Sequence, residues 1–80
     1  MRLDKYLKLS RVIKRRTVAN DVCQAGRVTV NGKPAKPSVQ LKIGDVVSIL
    51  FGSGAVKFRV TALPETVRKD DAASMYELIE

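Results

Sequence analysis

A chain of 80 residues is one small folding unit, too short to carry a catalytic domain beside a binding domain. Fifteen lysines and arginines against eight acids leave a formal charge of +7, and the sequence holds one Cys, no His and no Trp. An internal disulfide and any histidine-cysteine metal centre are therefore excluded, and the core has to be assembled from Val, Leu, Ile and Ala.

Taken from the start, Leu3, Tyr6 and Leu7 recur at i, i+3 and i+4 and predict a short helix that ends near Leu9 or Ser10. Lys5 and Lys8 fall off its apolar stripe. After a connector around residues 11–14, the segment from about Arg15 to Ala25 places Val18, Ala19, Val22 and Cys23 on one helical face, with Gly26 as the left-handed stop. The period then changes to two. Val28 and Val30 alternate with Arg27 and Thr29, and Asn31-Gly32 is a strong signal for a tight hairpin. Pro34 and Pro37 confine the return strand to a short edge piece, and Ile43-Gly44-Asp45 turns the chain into the apolar run 46–51. Gly52-Ser53-Gly54 is a further turn before a strand in which Val56, Phe58 and Val60 alternate with polar residues, and Pro64 closes it. In the tail, Asp70 or Asp71 is available to cap a helix carrying Ala72, Met75, Tyr76 and Ile79 as its stripe.

The fold class expected is α+β: two N-terminal helices packed on a small twisted antiparallel sheet, plus a C-terminal helix. One domain should span residues 1–80, with its core in about 1–60 and a C-terminal strand and helix in about 56–80.

Charge is distributed unevenly along this plan. Residues 1–42 carry eleven cations against Asp4 and Asp21, whereas residues 64–80 carry five acids against Arg68 and Lys69. A cationic surface of this density recruits polyanions by releasing their counterions, which makes a nucleic acid the expected partner and an anionic membrane the rival. The first constellation is Arg2, Lys5, Lys8, Arg11, Lys14, Arg15 and Arg16. The run 14–16 stands at a predicted helix start, where cations are disfavoured until phosphate arrives, so it reads as a phosphate cradle. Asp4 has two readings of equal weight: a first-turn acid pairing with Lys8, or a carboxylate that orients a neighbouring arginine or an RNA group. A second constellation, Gln24, Arg27, Asn31, Lys33 and Lys36, could extend the basic surface, although Asn31 is explained by its turn. Tyr6 is assigned to the core.

No catalytic group survives inspection. Cys23 lies on an apolar helical face with no His to activate it, and the acids of the tail are solvated, so neither an enzyme nor a cofactor or metal is expected. No apolar run reaches the length of a membrane span, and the first residues are charged where a secretory leader would be apolar, which predicts a cytoplasmic protein.

The ordered signals Arg2-Leu3-Asp4-Lys5-Tyr6-Leu7, Arg15-Arg16-Thr17, Gly26-Arg27-Val28-Thr29-Val30-Asn31-Gly32 and Gly44-Asp45 resemble the S-four RNA-binding domain, named for the fourth small-subunit ribosomal protein. The resemblance covers roughly residues 1–60. It implies structured RNA held by the helix pair and the adjoining hairpin. Residues 10–17 and 72–76 narrow the likeness to stand-alone bacterial factors of ribosome-associated quality control, related to the heat-shock protein fifteen group. That likeness implies binding to large-subunit rRNA and peptidyl-tRNA, in support of a NEMF-type factor that adds a C-terminal alanine tail. It places Arg2, Asp4, Lys5, Arg11, Lys14, Arg15 and Arg16 at the RNA surface, while charge adds Lys8, Arg27 and Lys33. A monomer without membrane contact is expected. The alternatives are a heat-shock-type protein that rescues large subunits without tailing, a detached RNA-targeting module of an rRNA-modifying enzyme, and a helix-turn-helix DNA binder.

Overall fold

The computed structural model describes residues 1–63 and 74–79 of the chain. Leu3, Tyr6 and Leu7 are fully buried on one face of the first helix, α1 (Leu3–Leu9). Its first two amides are satisfied from outside the helix. Arg2 stands at the N-cap with no side-chain cap, and instead Leu3 N–H donates to the Val39 carbonyl (2.8 Å) and Asp4 N–H to the Pro37 carbonyl (3.2 Å). Leu41 N–H returns a bond to the Met1 carbonyl (2.9 Å), and Arg2 and Gln40 form an isolated antiparallel bridge. The loop through residues 37–41 is thereby clamped to the start of α1. At the other end, Arg11 takes φ 61°, a left-handed position that glycine usually fills, and its N–H closes on the Lys8 carbonyl.

The second helix, α2 (Arg16–Gln24), ends as its sequence predicts. Gly26 adopts φ 73°, its N–H donates to Cys23 and Arg27 N–H to Val22, which is the paired bonding of a Schellman stop. Only Ala19 and Cys23 of this helix are buried, and Val18 is 43% exposed, so the buried stripe is narrower than the period suggests.

Among the described residues five strands follow: β1 (Val28–Val30), β2 (Lys33–Pro34), β3 (Val46–Phe51), β4 (Gly54–Val60) and β5 (Tyr76–Leu78), ordered β2-β1-β3-β4-β5 and antiparallel throughout. Period-two alternation gives the sheet two unlike faces. Val28, Val47, Ile49, Phe58 and Val60 point inward and join Leu3, Tyr6, Leu7, Ile13, Ala19 and Cys23 in one core, where the Tyr6 ring stacks on Phe58 with centroids 6.1 Å apart. The registers Thr29↔Ser48 and Ser48↔Lys57 set a polar row on the opposite face. Asn31 (φ 53°) and Gly32 (φ 83°) make the tight turn between β1 and β2. Asn31 also accepts a bond from Val46 N–H (3.0 Å) and donates to Asp45 (3.1 Å), so the Asn-Gly and Gly-Asp signals are two halves of one latch.

The C-terminal helix is a correction. Residues 76–78 form β5, with Val60↔Tyr76, Arg59↔Glu77 and Phe58↔Leu78 in register, while Ala72 and the proposed caps Asp70 and Asp71 lie outside the described residues, as does Pro64. A free edge of β4 offers backbone donors and acceptors that a helix would leave unmatched, and Tyr76 in extended form also lays its ring 5.3 Å from Phe58. Met75 is fully buried, and its carbonyl accepts from the Tyr6 hydroxyl at 2.6 Å.

Candidate nucleic-acid interface

Asp4 is the hub of the basic surface. Its carboxylate pairs with Arg2 and with Arg16 of α2 instead of Lys8, and the side chain is only 3% exposed. Arg2 Nε and Nη2 donate to its two oxygens at 3.2 and 3.3 Å, a bidentate pairing, and Arg16 Nη2 approaches to 3.6 Å from the first turn of α2. The Lys5 backbone N–H donates at 2.8 Å, and the polar Asn20 side chain lies beside the carboxylate and favours its ionised form. Burial pushes the Asp4 carboxyl upward, but the Lys5 N–H, the two guanidinium groups and Asn20 together outweigh it and hold the group below its ordinary 3.8. One buried carboxylate thus orients two arginines that are themselves half exposed, at 46% for Arg2 and 51% for Arg16. Their remaining N–H groups are free to meet an anion.

The expected phosphate cradle divides in two. Lys14 turns to Lys8 and Arg11, and these three cations line an open hollow of about 340 Å³ beside the end of α1. Arg16 belongs to the Asp4 network, and a second hollow of about 300 Å³ is bounded there by Asp4, Arg16, Thr17, Asn20 and Asp21. Arg15 is exposed at the N-cap of α2, and Lys5 is exposed on α1. Lys33 pairs with Val30 in the register and so stands on the helix side of the sheet. Arg27 does not join it. It precedes the inward Val28 and bonds through its carbonyl to Leu50 N–H, which by strand alternation assigns it to the outer side. That outer face holds a wider hollow of about 540 Å³, but its lining of Thr29, Asn31, Gly32, Val46, Ser48 and Lys57 supplies a single cation.

Sequence reasoning missed Asn20, whose place beside Asp4 depends on how two helices pack. Its one available signal was position: it lies four residues after Arg16, hence on the same side of α2. Cys23 is buried, and burial with the nearby Asp4 charge pushes its thiol up to about 11, so it is no nucleophile at neutral pH. Among the described residues no group of acids or Cys is placed to hold a metal, and no helix is long and apolar enough to cross a membrane.

A helix pair that presents arginines from a shared buried carboxylate, laid on a small antiparallel sheet, defines a compact class of basic α+β domain. The S4 domain model matches residues 1–47, and the chain belongs to the S4 domain family. Across nearly its whole length it is also 53% identical over 78 residues to the RQC P-site tRNA stabilizing factor of Halalkalibacterium halodurans, covering 98% of this chain and 89% of that protein. The factor of the same name from Streptococcus pneumoniae is 53% identical over 79 residues, covering 99% and 90%. Among solved structures, the trimeric structure of Vibrio cholerae Heat Shock Protein 15 superposes with a TM-score of 0.90 at 29% identity, over 99% of this chain and 81% of that one.

Proposed function

We propose that this protein is an RNA-binding factor of bacterial ribosome-associated quality control, which stabilises tRNA in the peptidyl site of a stalled large subunit by binding alone. The observation that carries this reading is the buried Asp4 carboxylate holding Arg2 and Arg16 in place beside Lys5, Lys8, Arg11, Lys14 and Arg15. Oriented guanidinium groups suit phosphates and ribose hydroxyls that a folded RNA fixes in space, and they lose little freedom on contact. The shared name of relatives matching nearly the full chain supports the assignment to quality control. In this proposal the platform formed by the two helices, with Lys33 at its hairpin flank, bridges large-subunit rRNA and peptidyl-tRNA. Arg27, on the outer side, makes at most a peripheral contact. A NEMF-type partner then extends the C-terminal alanine tail while the protein, a cytoplasmic monomer, keeps the tRNA from leaving between additions. No step of bond making is assigned to the chain itself.

Affinity purification of the tagged protein tests the proposal: free large subunits carrying tRNA should co-purify, and Arg16→Ala should reduce their recovery. With about five phosphates neutralised, log affinity for the RNA should fall with log salt at a slope of roughly −3.5 to −4.5. Association that ignores salt contradicts the mechanism. The likeness to Heat Shock Protein 15 supports a second reading, rescue of large subunits without tailing. Alanine tails that persist unchanged on stalled chains in cells lacking the protein would select it.

A further inference from the structure

A smaller hollow, of about 140 Å³, lies where the start of α1, the side of α2 and the clamped loop meet, and its lining differs in kind from the purely cationic one. Arg2, Asn20, Gln24, Lys36, Pro37 and Ser38 surround it. We infer that this hollow is a subsite for one unpaired nucleotide of RNA, with the base read by the carboxamides of Asn20 and Gln24. The inference rests on the RNA-binding reading above and adds base recognition to a surface otherwise suited to shape.

Asn20 and Gln24 are one helical turn apart and therefore project side by side. A carboxylate only accepts, so the neighbouring Asp4 favours the Asn20 NH₂ on its own side and the Asn20 carbonyl oxygen toward the hollow that Asn20 lines. Gln24 brings a complete donor and acceptor pair. Carboxamides match the adjacent donor and acceptor on the N6/N7 edge of adenine, and that edge is reachable in RNA only when the base is out of the deep, narrow groove of a duplex. The surroundings fit the rest of a nucleotide. Arg2, fixed by Asp4, and the exposed Lys36 stand ready for its phosphate, and the Ser38 hydroxyl can meet a ribose hydroxyl. The wall carrying residues 36–38 is held by the Asp4-to-Pro37 and Leu3-to-Val39 backbone bonds, so the hollow exists before the ligand arrives.

Titration of the full-length, ¹⁵N-labelled protein with AMP, UMP and inorganic phosphate, followed by NMR, tests this. AMP should shift the side-chain amide signals of Asn20 and Gln24 and bind about five-fold more tightly than UMP, whereas phosphate should leave those signals in place. Gln24→Met, a change at an exposed position, should weaken AMP about five-fold while leaving thermal stability and the phosphate response unchanged. Identical responses to AMP and phosphate, or a Gln24→Met variant that binds AMP as well as the parent, overturn the subsite. The two readings fail separately: a protein that grips large subunits yet shows no amide response to AMP loses the subsite alone. One that responds to AMP but captures no ribosomal particle loses the ribosomal role alone.

Discussion

Asp4 shows how a single acid can strengthen a basic surface. By simple charge counting, Asp4→Ala raises the net charge and should tighten RNA binding. Geometry predicts the reverse, because Arg2, Arg16 and Asn20 would lose the oxygen atoms that orient them. We expect RNA affinity to fall and stability to drop by about 1–2 kcal/mol, modest because both arginines remain half in water, as filter binding and urea unfolding would measure. The pH dependence follows from the lowered carboxyl. The folded protein holds Asp4 ionised to lower pH than the unfolded chain does, so its stabilising contribution is full above about pH 4 and fades as pH falls below 3.8. Asp4→Asn should flatten that part of an acid unfolding curve. Arg11 offers the opposite trade: its φ of 61° suits glycine, so Arg11→Gly should raise stability by about 1 kcal/mol while weakening RNA binding, seen as a higher Tm with a higher Kd. At this scale the sequence disclosed that the cations cluster at the front of the chain. It could not disclose that Asp4 meets Arg16 instead of Lys8, because the first contact depends on helix packing and only the second on local spacing.

For the elements, legibility tracked how many independent signals agreed. The end of α2, the Asn31-Gly32 turn and the alternation in β4 each combined a period with a backbone-specific residue, and all three formed where the sequence placed them. The tail carried a period alone. Ala72, Met75, Tyr76 and Ile79 satisfy helical spacing, but so short a window is also compatible with extended chain, and the unmatched edge of β4 settled residues 76–78 as a strand. Tyr6 secures that arrangement through its hydroxyl on the Met75 carbonyl, and burial pushes the phenol pKa upward so it stays a donor. Tyr6→Phe should cost about 1–2 kcal/mol in chemical unfolding and accelerate hydrogen exchange at the amides of β5 while sparing α2.

At the level of the whole molecule, the two faces of the sheet divide the labour. The inner face is consumed by the core, and the helices laid over it carry the cations, so the core and the cationic surface lie on the same side of the sheet. Uneven charge along the chain made this basic half visible before any fold was known. The division of the 14–16 run between two hollows was not visible, since it follows from where α1 ends and α2 begins. The Met75 carbonyl has a consequence for how the molecule matures. It accepts from Tyr6, Thr61 and Ala62, joining the first helix to the last strand through one oxygen across 69 residues of sequence. During synthesis, the arginine-bearing helices emerge early, yet the Tyr6 phenol has no native acceptor until residue 75 clears the exit tunnel. The first helix therefore gains this partner only once the strands between have been made, so its anchoring waits on a contact far along the chain and not on its own emergence.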